Sequence, residues 1–137
     1  MHGYEFMVAL WSRLYLMIWL AFAQFLLVLS PLKIVELHAV IGGIILILAH
    51  YNNRQLKTTA TPSRIKRIVK STAMLATVQP ILGILLFLNL RSIIALPFPE
   101  FVSLVHLTTA LAIMAQSAST ATAFDMWEEK EFVVFPA

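Results

Sequence analysis

The stretch IVELHAVIGGIILILAHY, residues 34–51, decides what kind of protein this is. Between Glu36 and His38 near its start and His50 near its end, it is apolar or glycine. At a rise of about 1.5 Å per residue, such a run approaches the ~30 Å hydrocarbon thickness of a bilayer. A membrane strand would alternate polar and apolar side chains, and this run does not. Only helices and closed barrels satisfy every backbone group in lipid, so the stretch reads as a transmembrane helix.

Three more runs of the same character follow from it, at 7–29, 72–90 and 101–124. The chain of 137 residues has a hydrophobic fraction of 60% and a charged fraction of 12%. Soluble domains carry about 25% charged residues. The expectation is one all-α domain over 1–137, a polytopic membrane four-helix bundle whose main partner is the lipid bilayer. No small-residue cleavage site follows the first run, so it is expected to remain as a span. Cysteine is absent, which excludes disulfides and thiolate chemistry.

The connections give orientation. Residues 52–70 carry Arg54, Lys57, Arg64, Lys66, Arg67 and Lys70 with no acid. Lys and Arg gather on the cytoplasmic side, so this loop and both termini are expected inside a plasma membrane crossed four times. No aromatic residues interleave with the charges, so attraction to anionic lipid is expected and nucleic-acid binding is not.

Ionisable and polar groups inside a membrane are costly and point to function. Arg13, Glu36, His38, His50, Gln79, His106 and Gln116 make up this set. His38 and His106 lie about 6 and 7.5 Å below the extracytoplasmic surface on helices two and four, at one depth. His50 is about 18 Å deeper and belongs elsewhere. Small residues follow one turn beyond each of the pair, Gly42 and Gly43 after His38, Thr109 and Ala110 after His106. Residues at i+3 and i+4 share a face with i, which leaves room beside each imidazole.

Three readings of this pair stand together. Two imidazoles could be the axial ligands of a haem iron. They could belong to a zinc site, but Glu36, two residues from His38, points about 200° away around the helix. Or they could simply bridge helices, with small residues for close packing. Lys33 and Arg91, the fixed cations on the outer side, would hold haem propionates or be ordinary flanking charges. Glu36 is expected to pair with Lys33 or Arg91, with snorkelling to the surface and proton handling as the alternatives. Arg13 is expected to snorkel to the cytoplasmic surface. Pro80 predicts a kink in helix three, Gly83 a close helix contact, and AQSASTATA, residues 115–123, tight helix packing within the bundle or against a second copy.

The segment VQPILGILLFLNLRSIIALPFPEFVSLVHLTTALAIMA, residues 78–115, resembles the third-to-fourth helix region of the haem A synthase family. LHAVIGGIILILAHYNNR, residues 37–54, resembles that family's second helix. The resemblance implies a four-helix half that holds a haem between histidines of helices two and four near the outer face. His38 and His106 match those two ligands. It also implies conversion of haem O to haem A for terminal oxidases, with a single half acting as a homodimer or through one site. The family's catalytic half carries a Glu three residues before the helix-two histidine and an Arg just after it. Here Glu36 is two before and position 39 is Ala39, so Glu36 stands as a displaced catalytic candidate. The competing function is a b-type cytochrome, or an accessory subunit of a quinol-oxidising or terminal oxidase complex in the respiratory chain.

Overall fold

The computed structural model describes residues 2–31 and 34–134, with side chains over 8–31 and 34–128. These residues form four helices, α1 (His2–Leu29), α2 (Val35–Lys57), α3 (Ser63–Leu90) and α4 (Pro99–Val134), and no strand. All four contain spans long and apolar enough to cross a membrane. The chain is built as a multi-pass membrane protein.

Short connections make sequential helices antiparallel neighbours. α1 packs on α2, α2 on α3, α3 on α4, and α4 closes back on α1. The two diagonal pairs, α1 with α3 and α2 with α4, make no direct backbone approach. The helices therefore stand as the four corners of a square.

All four helices run further than their apolar segments, α1 by starting at His2. α2 continues to Lys57 and α3 begins at Ser63, so most of the basic stretch is helical and only residues 58–62 connect. Lys and Arg are good helix formers, and hydropathy marks where a helix leaves lipid, not where it ends. α4 likewise continues through the acidic DMWEEKEFVV, residues 125–134, which contains neither Gly nor Pro. α3 passes through Pro80 without losing its helical assignment. It ends in a left-handed turn at Ser92 (φ 58°), with the Ile93 amide returning to the Leu88 carbonyl, a common way to satisfy the last carbonyls of a helix.

Packing divides the bundle into two unlike halves. Near the basic connection, Leu10, Leu14, Leu56, Ile65, Val69, Ala121 and Phe124 form one buried cluster. Met17, Ala21, Ile45, Ala49, Ala73, Ala76 and Ile113 form a second above it. Toward the other end, the burial stops. Among the described residues, none of α1 after Ala21, α2 before Ile45, α3 after Ala76 or α4 before Thr109 is buried. Small residues, Gly42, Gly43 and Gly83 among them, lie on the helices of this half.

The closed half is stitched by polar contacts. Arg13 Nε donates to Asn52 Oδ1 at 2.8 Å, another guanidinium nitrogen donates to Gln55, and the group lies over the Tyr51 ring. Arg13 thus ties α1 to α2 at the end of α2 next to the basic connection. Thr72 Oγ1 donates to Gln116 Oε1 at 2.9 Å, joining α3 to α4. Tyr15 donates to Asp125 at 2.7 Å, joining α1 to α4.

Candidate functional site

His38 and His106 meet in the loosely packed half. They come from the diagonal helices α2 and α4, and their ring centres are 6.3 Å apart with an interplanar angle of 67°. Both are partly exposed. Since α2 and α4 do not pack on each other, the two rings reach into the middle of the square from opposite corners.

Each imidazole is seated by the helix that precedes its own. Gln24 Nε2 on α1 donates to the backbone carbonyl of His38 at 2.9 Å. Gln79 Nε2 on α3 donates to the backbone carbonyl of His106, also at 2.9 Å. The two hairpins, α1–α2 and α3–α4, thus repeat one device. A bundle whose amide–carbonyl pairs recur in this way fixes the depth of both histidines relative to their neighbours.

Glycines permit this arrangement. A Cβ on Gly42 would come within 3.3 Å of Gln24 Nε2, so the amide would have to give by a few tenths of an ångström. A Cβ on Gly83 would come within 3.3 Å of His106 Cε1, so the imidazole rests directly on the α3 backbone. A Cβ on Gly43 would meet nothing within 4 Å and projects into open space. Of the two glycines after His38, the open face is therefore that of Gly43, while Gly42 accommodates Gln24.

Four buried side-chain polar atoms lack a hydrogen-bond partner among the described residues: Gln24 Oε1, His38 Nδ1, Gln79 Oε1 and His106 Nδ1. Every one belongs to this site. Leaving a buried polar atom unpaired costs about 1–3 kcal/mol, so the concentration of four of them here marks the region as built for something besides packing. Among the described residues, no other buried side-chain nitrogen or oxygen lacks a partner.

The other candidates fall outside this pair. Glu36 is exposed in the first turn of α2 and has no hydrogen bond or ion pair among the described residues. Its expected pairing with Arg91 is not formed. Arg91 instead lies over the Phe87 ring, 5.2 Å from its centre, at the C-terminal end of α3. Glu36 is already favoured at a helix N-terminus, where the backbone amides carry partial positive charge. Lys33 lies outside the described residues. Ala110 is partly buried on α4, one turn past His106. His50 is exposed and bonds to Thr77 Oγ1 at 2.7 Å, far from the pair. Gln24 is the residue that sequence reasoning missed. Its signal was an amide set among Ala and Phe in the middle of the first apolar run.

Among the described residues, no three His, Cys, Asp or Glu side chains converge as a metal-binding group. No family profile, curated protein or solved structure matches this chain.

Proposed function

We propose that this protein is an integral-membrane haem protein, with His38 and His106 as the two axial ligands of one haem. The observation that carries the proposal is the 6.3 Å separation of the two ring centres across the bundle diagonal. Imidazoles bound to one metal from opposite sides, with metal–nitrogen bonds of about 2 Å, stand about 6–6.5 Å apart centre to centre. Rings sharing such an axis are free to adopt any mutual twist, and 67° is within that freedom. The absence of a third protein ligand among the described residues favours a macrocycle, which brings its own donor atoms, over a bare ion.

Bound haem supplies a one-electron couple tuned by its axial ligands and surroundings. The chain's own residues do the rest. His38 and His106 hold the iron, Gly83 lets His106 approach, and the apolar helix faces exclude water. Lys33 and Arg91 at the outer rim are the candidates for pairing with propionates. The basic α2–α3 connection favours a cytoplasmic location for that end and for both termini, which puts the haem site near the extracytoplasmic face of the plasma membrane.

Of the two activities, electron transfer as a b-type cytochrome has the better support. Glu36, the acid–base candidate for a synthase, points away from the pair and into the surroundings. Two histidine ligands also leave iron without an open position. The protein would then serve as a homodimer or as a subunit of a respiratory complex. The second reading, haem O conversion to haem A by a single-half synthase, draws on the resemblance of residues 78–115 to that family. A pyridine haemochrome spectrum of protein purified from cells that make haem O tests both. Haem B supports the cytochrome, haem A beyond the host oxidase level supports the synthase, and haem-free protein refutes both.

A further inference from the structure

The four unpartnered atoms are not a random set. Each hairpin contributes one glutamine Oε1, which can only accept, and one histidine Nδ1, which donates when it carries the proton. Within each hairpin the two residues are already in contact, since the glutamine's other amide atom is bonded to that same histidine's carbonyl. Acceptor and potential donor therefore sit on a single bonded residue pair, twice over. The two atoms are unpaired in each hairpin, and a second hydrogen bond within the same residue pair would satisfy both.

We propose that Gln24 and Gln79 are positioning residues that fix the histidine tautomers: each Oε1 accepts Nδ1–H from the histidine whose carbonyl its Nε2 holds. A neutral imidazole has one protonated and one bare nitrogen. With the proton held on Nδ1, both Nε2 atoms are left with free lone pairs, the form that binds a metal. The glutamine then acts as a two-point clamp. Its Nε2 fixes the depth of the histidine backbone, and its Oε1 fixes ring rotation and proton position. Metal-bound histidines almost always donate their other N–H to such a partner, and losing that partner typically weakens metal binding by about 10–100-fold. Gly42 belongs to the same device, because a Cβ there would meet Gln24 Nε2 at 3.3 Å.

The consequence for haem rests on the haem reading, but the tautomers are measurable without it. The test uses the full chain, labelled with 15N-histidine and reconstituted haem-free in lipid nanodiscs. Correlation of ring nitrogens with ring protons reports the tautomer of each histidine, with His38→Ala and His106→Ala providing the assignments. The expected result is Nδ1–H for both His38 and His106. Gln24→Leu is expected to move His38 alone toward Nε2–H, and Gln79→Leu to move His106 alone. Gln24→Glu and Gln79→Glu restore the native tautomers, because a neutral carboxylic acid presents the same donor and acceptor. When haemin is titrated in, each Leu variant is expected to bind about 10–100-fold more weakly than the native chain.

Nε2–H tautomers in the native chain would overturn the proposal, whether or not any variant folds. So would Leu variants whose tautomers and haem affinity match the native protein. A native chain with both Nδ1–H tautomers that shift as expected, yet takes up no haem, would retain the glutamine clamp and refute the haem reading instead.

Discussion

Gly83→Ala separates the needs of the fold from those of the site. The added Cβ would stand 3.3 Å from His106 Cε1, inside the ~3.5–4.0 Å at which carbon atoms pack best. The imidazole must therefore give by a few tenths of an ångström, or α3 and α4 must part. Overpacking a fitted contact costs about 1–3 kcal/mol. Against this, Ala in a helix interior is favoured over Gly by about 1 kcal/mol. In the haem-free protein His106 borders loosely packed space and is able to turn aside, so the two effects roughly cancel. Net stability is expected to change by less than about 1 kcal/mol. In the haem-bound protein the ring is held and the strain stays, so affinity is expected to fall by on the order of 10-fold, about 1.4 kcal/mol. Thermal unfolding in detergent and haemin titration followed at the Soret band give the two numbers. Gly43→Ala, whose Cβ meets nothing, is the control and is expected to leave the affinity within about threefold of native. Native haem affinity in Gly83→Ala, together with a marked loss of stability, would show that Gly83 serves helix packing and that His106 is not held by an iron.

Other expectations concern residues away from the pair. Arg13→Leu leaves Oδ1 of the buried Asn52 without its donor and is expected to destabilise the bundle by about 2 kcal/mol. Arg13→Lys should recover only part of this, lacking the planar fork that reaches both Asn52 and Gln55; equal melting temperatures for all three proteins would contradict it. Glu36→Gln and His50→Ala are each expected to retain full haem occupancy in the purified protein. Loss of haem from either one would mean that the site extends to a part of α2 that the geometry leaves out. If haem A production is observed, loss of it in Glu36→Gln would favour the synthase reading.

Much of this architecture was readable in the sequence because lipid imposes simple rules. Four apolar runs of spanning length become four helices, and two histidines at equal depth on helices two and four do approach each other. Hydropathy is silent on helix ends outside lipid, which is why the helical extensions at residues 63–71 and 125–134 were not foreseen. Side-chain partnering was harder to read. Arg13 finds Asn52 and Gln55 only because α1 and α2 are adjacent, and Arg91 lies over the Phe87 ring with no ion pair to Glu36. The role of Gln24 needed its contact with the His38 carbonyl, since a lone amide in an apolar run looks the same whether it packs or positions.

One half of the bundle is packed with buried apolar side chains, and the other carries the pair of imidazoles, a division of labour within one fold. The end near the basic connection holds the helices together.

The most direct test of the central claim compares optical and EPR spectra of the haem-loaded native chain with those of His38→Ala and His106→Ala. The account predicts one low-spin haem per chain in the native protein, with most haem lost or converted to high spin in each variant. Both variants retaining full occupancy and the native low-spin spectrum would contradict it.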